Sequence, residues 1–287
     1  MTTDQQVIAC VDLSDEATSI ADHAAWAAQR LGQSLELLHV IERHPGLNTP
    51  QDHSGALGLN AQEQLLQRLA TEDETRSRND RDSARGFLND LRRKALQAGV
   101  GHVDTRQRHG DVEETLQEQE GHASLIVMGR RSHHRPDASP LGQHVEWMVR
   151  AVHCPTLVVP ANFVAPSRVL FAFDGSSASK QLVHTLANNP MVQGLPIHVL
   201  MAGSAKADLT SQVAWACETL KAAGMSASAS VSEDAPALAI ERAVIEQGFD
   251  LVVMGAYSHG LWRRLLKRSN TQAVLSRLHV AALLLRS

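Results

Sequence analysis

The sequence predicts two tandem α/β domains, each a doubly wound parallel sheet of five strands with helices on both faces. Three observations carry that prediction. At 287 residues the chain is about twice the length of a typical domain. A series of segments occurs twice, in the same order. Within each copy, short near-continuously apolar runs alternate with stretches of helical period, as expected of parallel strands buried on both faces.

The repeat is read from four matches. QQVIACVDLSDEA returns as SRVLFAFDGSSAS, SLELLHVIE as PIHVLMAGS, SLIVMGRRSHH as DLVVMGAYSHG, and CPTLVVP as VAALLLR. Equivalent positions lie 162 residues apart in the first match and 126 in the third. The 36-residue difference is a longer stretch in the first copy, between the second and third matches. The short segment ANFVAPS, residues 161–167, then separates a domain at 1–160 from one at 167–287.

In the first copy, VIACVD, LELLHV, VDTRQRH, LIVMG and TLVVP are the predicted strands, and residues 15–31, 60–98, 111–120 and 141–152 the predicted helices. Phe87, Leu88, Leu91, Ala95 and Leu96 form the apolar stripe of the second helix, which Gly99 and Gly101 stop. Residues 44–59 have no period and are predicted to be a loop. In the second copy VLFAFD, IHVLM, SASV, DLVVMG and AALLL predict strands, with helices near 177–188, 206–223, 235–247 and 261–278.

Composition bounds the function. A hydrophobic fraction of 43% with 20% charged residues excludes a disordered chain. No apolar run approaches the roughly 20 residues that cross a bilayer, and the start MTTDQQVIACVDLS lacks the pattern of a signal peptide. Cys10, Cys154 and Cys217 are too scattered for a disulfide framework or a closed zinc site. A cytoplasmic protein with reduced thiols is the expectation. A net charge of −4 gives no argument for nucleic acid or membrane partners. The charge is uneven: residues 1–160 hold 16 Lys/Arg against 23 Asp/Glu, and residues 161–287 hold 11 against 8.

Open α/β sheets bind ligands at the carboxyl ends of their strands. Asp12 and Asp174 end the first strand of each copy, and Gly129 and Gly255 the fourth. Each glycine leads through a loop to a helix whose free N–H groups suit an anion. The aspartates have a purely structural reading as helix caps, which stabilise by about 1 kcal/mol. Arg263, Arg264, Lys267 and Arg268 read either as a solvated helix face or as anion-binding groups beside the second loop. His133, His134 and His144 show no dependable metal spacing. No nucleophile elbow, zinc-protease pair or Walker loop is present, so no catalytic residue is assigned.

The V-D-x-S start (Val11, Asp12, Ser14), V-M-G at the fourth strand and C-P-T-L-V-V at the fifth, with F-D-G-S and V-V-M-G-A-Y-S-H in the second copy, resemble the universal stress protein family in its tandem form. The resemblance covers essentially the whole chain. It implies Rossmann-like sheets of strand order 3-2-1-4-5, with the fifth strands (156–160 and 281–285) paired across a two-fold axis as an intrachain pseudo-dimer, further dimerisation being left open. Nucleotide-binding members of that family carry G-x2-G-x9-G-[S/T] after the fourth strand. Here those positions fall on Gly129, Ser132, Gly142 and Gln143 in the first copy, and on Gly255, Ser258, Arg268 and Ser269 in the second, with Thr271 close by.

The resemblance therefore implies a stress-response protein with ATP or another adenine nucleotide in the second copy only. Asp174 serves the base or ribose, Gly255 the close backbone approach, and Ser258, Ser269 and Thr271 the phosphates. Arg268 either pairs with phosphate as a bidentate donor or occupies its volume. The alternatives are a nucleotide-independent adaptor for a protein partner of unknown identity and, behind it, a slow nucleotide hydrolase. No metal is required, and the protein is expected not to be an enzyme.

Overall fold

A computed structural model of the chain describes residues 5–41, 81–130, 142–203, 209–255, 274–275 and 277–286. The first copy runs β1 (Gln6–Cys10), α1 (Ala17–Leu31), β2 (Leu35–Ile41), α2 (81–97 among the described residues), β3 (Val103–His109), α3 (Val112–Gln119), β4 (Ala123–Gly129), α4 (Gln143–Ala151) and β5 (Thr156–Val159). The second runs β6 (Val169–Ala172), α5 (Ser177–Ala187), β7 (Ile197–Ala202), α6 (Leu209–Ala222), β8 (Ala227–Ser232), α7 (Pro236–Gln247), β9 (Leu251–Gly255) and β10 (Ala281–Leu285). The predicted loop 44–59, residues 60–80 of the second predicted helix, 206–208 of a later one and most of 261–278 lie outside the described residues.

The strands form one ten-stranded sheet of order β3-β2-β1-β4-β5-β10-β9-β6-β7-β8. Read inward from each outer edge, each half has the order 3-2-1-4-5, with every neighbouring pair inside a half parallel. The halves meet at β5 and β10, which pair antiparallel with Leu283 opposite Leu157. Both leucines are fully buried. Each such burial contributes about 1.5–3 kcal/mol, and a bare edge of TLVV or AALLL facing water would instead invite association.

The inner strands are buried on both faces because helices cover both. On one face lie α1, α2, α5 and α6, in an apolar layer that runs unbroken through β5 and β10 into both halves; α3, α4 and α7 cover the other. Helix α1 packs closely because its buried face is mostly alanine: Ala17, Ala21, Ala24, Ala25, Ala27 and Ala28. Further bonds cross between the halves. Arg30 at the end of α1 donates to the carbonyls of Met191 (3.1 Å) and Gln193, and Arg130 donates to Val280 O at 2.9 Å.

Two details differ from the sequence expectation. The buried stripe of α2 is Ala84, Leu88, Leu91 and Ala95, while Leu96 is 42% exposed. Leu96 follows Ala95 by about 100° around the helix, which turns it off the sheet. Strands β1 and β6 stop at Cys10 and Ala172, so Asp12 and Asp174 stand two residues beyond their strands, in the loops.

Candidate functional site

The carboxyl ends of β1 and β4, and of β6 and β9, form the two candidate sites. In both copies the aspartate organises its own loop. Asp174 Oδ1 accepts from the Ser176 backbone N–H at 3.0 Å and from its hydroxyl at 2.6 Å. Ser176 Oγ then accepts from Ser179 N–H and caps α5. Asp12 Oδ1 accepts likewise from Ser14 N–H at 3.1 Å and from the Ser14 hydroxyl.

The expectation that Asp12 caps the following helix is thus corrected. The residue before α1 is Glu16, with no side-chain cap, and Asp12 closes the turn two residues earlier. An aspartate reaches the N–H two residues on as readily as a helix end. The turn in the second copy is tighter. Gly175 has φ +72°, and a Cβ there would lie only 2.0 Å from Gln212 Oε1 of α6 and 3.1 Å from Met201 Cε. The left-handed backbone at Gly175 favours glycine, and a side chain there would have to displace the Gln212 amide, whereas the first copy has Leu13 at this position, 48% exposed.

The glycines ending β4 and β9 show how far the copies have diverged. A Cβ at Gly129 would meet Ile20 Cδ1 at 3.0 Å and Glu16 Oε2 at 3.1 Å. A Cβ at Gly255 would meet Leu182 Cδ1 at 3.2 Å and nothing else within 4 Å among the described residues. Leu182 is the counterpart of Ile20 at the 162-residue spacing, and the counterpart of Glu16 is Ala178. Among the described residues, a carboxylate thus lies against the end of β4 and none against the end of β9.

Of the residues expected to bind, Asp174 and Gly255 are described, and the structure brings them to adjacent strand ends, since β6 pairs with β9 up to Ala172 opposite Met254. Ser258, Arg268, Ser269 and Thr271 lie outside the described residues, as do Ser132, His133 and His134. Gly142 precedes α4 as its N-terminal flanking residue, with Gln143 opening the helix. His144 Nδ1 lies 3.6 Å from Glu113 Oε1. Among the described residues no group of three metal-ligating side chains is found, and no helix is long and apolar enough to cross a membrane. Glu16 and Gln212 were missed in the sequence. The spacing that equates Glu16 with Ala178 was available as a signal for the first, but nothing local marks Gln212.

Of the three cysteines, Cys154 and Cys217 are buried and Cys10 is partly buried. Cys154 is buried and donates to Ala123 O at 3.3 Å, and burial, reinforced by Glu120, pushes its thiol up to about 12.

The universal stress protein family profile matches the chain twice, at residues 5–160 and 166–286. A curated universal stress protein of Synechocystis is 28% identical, covering 98% of this chain and 100% of that protein. A universal stress protein from Archaeoglobus fulgidus has the same fold over 99% of this chain and 96% of its own, with TM-score 0.71 and 18% identity. A further universal stress protein, solved in complex with cAMP, overlaps 43% of this chain and 98% of its own at 23% identity, with TM-score 0.37.

Proposed function

The chain belongs to the universal stress protein family, and from that premise we propose that it is a tandem stress protein of units 1–160 and 167–287 that binds an adenine nucleotide, ATP in the first instance, in the second unit alone. The observation that carries this reading is the difference between the two strand-end glycines. Glu16 Oε2 lies 3.1 Å from where a Cβ on Gly129 would sit, while the counterpart of Glu16 opposite Gly255 is Ala178, which has no carboxylate. A carboxylate and a phosphate charge repel each other at close range. The first unit is therefore disfavoured before Ser132 and Gln143 are considered.

In the second unit Asp174 stands in an ordered loop for the base or ribose, Gly255 for backbone approach, and Ser258, Arg268, Ser269 and Thr271 for the phosphates. The role of the protein is then nucleotide-dependent signalling in the cytoplasm rather than catalysis, and no metal is needed to hold the ligand. A second reading, an adaptor that works without nucleotide, draws on Gln212, whose amide lies in the space beside Gly175 at the same strand ends.

ATP titration with native mass spectrometry separates the two readings. One nucleotide per chain is expected, lost in Asp174→Ala and kept in Asp12→Ala. Weaker binding in Arg268→Gly assigns Arg268 as a phosphate partner, and stronger binding assigns it as an obstruction. No binding by the wild type at millimolar ATP leaves the adaptor.

A further inference from the structure

Along the outer edge strand of the first copy's sheet, reaching the start of β1, lies a cavity of about 480 Å3, within the usual size range of small-molecule sites. It opens between the edge strand β3 and the end of α3 and is lined almost wholly by polar side chains, among them Gln6, Arg106, Arg108, Glu118, Gln119 and His122. The second copy serves as an internal control. Where it has Phe249, Arg168 and His198, the first copy has Ala123, Gln6 and Glu36, equated by strand register. Phe249 is 5% exposed, with the Arg168 guanidinium 5.1 Å from its ring centre and the His198 ring stacked at 5.5 Å. His198 is tied in turn to Ser228 and Ser230. The aromatic plug of one copy is replaced by alanine in the other.

The walls of the cavity are braced from below. Glu36 is 2% exposed, and its Oε2 accepts from Arg106 at 2.9 Å and from Gln6 at 3.2 Å. Arg106 also donates to Gln119 Oε1 at 3.2 Å. The other oxygen of Glu36, Oε1, has no hydrogen-bond partner among the described residues. A buried carboxylate is costly unless its lone pairs are used, so one retained beneath a polar cavity is a reason to look for a ligand. Asp104 is engaged by His102 at 3.0 Å. Two lining charges remain uncommitted, Arg108 and Glu118, which make no ion pair or hydrogen bond with each other or with any other described residue. One is a guanidinium and the other a carboxylate. Among the described residues the cavity has no aromatic wall apart from the histidines, and so no stacking surface of the kind a nucleobase uses.

We propose that this cavity is a second ligand site, for a small zwitterion such as a free α-amino acid, with Arg108 taking its carboxylate and Glu118 its ammonium. A planar guanidinium suits a carboxylate as a bidentate donor, and two lining charges of opposite sign select a ligand that carries both. The site lies in the first copy, apart from the nucleotide site proposed in the second.

The test is thermal-shift titration of the intact chain with glycine, glutamate and arginine, using acetate and methylammonium as single-charge controls. A saturable rise in Tm with at least one amino acid and neither control is expected, with apparent affinity falling about tenfold or more in Arg108→Ala and in Glu118→Gln. Both side chains are exposed, so neither variant threatens the fold. Asp174→Ala should leave the response intact, which separates this site from the nucleotide reading. No saturable response to any of the three amino acids overturns the proposal. So does an equal response to acetate or to methylammonium, or one unchanged in both variants.

Discussion

At the scale of single residues, Glu16 and Ala178 make the sharpest contrast, because they occupy one structural position with opposite consequences for an anion. Ala178→Glu should place a carboxylate beside Gly255 and weaken ATP binding about tenfold or more, on the Coulomb repulsion argued above; calorimetric titration reads it directly, and unchanged affinity would remove the basis for preferring the second unit. His23 gives a pH prediction. It is buried on α1, its Nδ1 is 2.8 Å from Ser19 O, and its ring meets Phe163 edge-on at 4.7 Å. Burial lowers its pKa from 6.5 to about 4, against the backbone hydrogen bond that raises it. The unfolded chain therefore binds a proton that the folded chain refuses. Stability from this group is complete above about pH 6.5 and is lost as the pH falls toward 4, by about 3 kcal/mol at most. His23→Phe should flatten the acid side of the Tm–pH curve, and an unchanged acid slope would show that His23 does not set it. Cys154, with its thiol pushed up to about 12, should resist alkylation in the native protein at neutral pH and react only on unfolding.

At the scale of elements, the β5–β10 pair decides how the halves are joined. Leu157 and Leu283 face each other across the antiparallel ladder in full burial. Either leucine to alanine should cost about 2–5 kcal/mol. Because they are neighbours, the double variant should deviate from additivity by about 0.5–3 kcal/mol in denaturant unfolding. Strict additivity would mean that the contact contributes little. The caps show a milder dependence. Asp111 accepts from both Glu113 and Glu114 N–H at the start of α3, so Asp111→Ala should lose about 1 kcal/mol.

At the scale of the whole molecule, one apolar layer runs through β5 and β10 and continues into both halves, and Arg30 and Arg130 bind carbonyls across the boundary. Two domains with a thin polar contact would unfold separately, but halves that share a sheet and a core should not. The chain should melt in a single calorimetric transition whose van't Hoff and calorimetric enthalpies agree. Two resolved transitions would show the junction to be weaker than its burial implies. The two outer edges of the sheet differ in character: β3 carries Asp104, Arg106 and Arg108, whereas their counterparts in β8 are Ser228, Ser230 and Ser232. The charged edge is the one beside the cavity.

The architecture was legible in the sequence because its signals are local and repeated. Apolar runs of strand length, turn residues between them and a second copy of the same order are enough to predict two doubly wound halves. The Asp-x-Ser turns are local as well, since donor and acceptor lie two residues apart, although the sequence alone did not distinguish a turn from a helix cap. The features that separate the two copies are of another kind. Glu16 meets Gly129, Gln212 meets Gly175, and Glu36 holds Arg106 and Gln6, each through contacts between residues about 30 to more than 100 positions apart. Chain pattern determines which residues face a sheet and where a strand ends. Which side chain then fills the space at a given strand end, a carboxylate, an alanine or an aromatic plug, is decided only when distant elements pack, because packing sets both the room available and the charge that must be satisfied there.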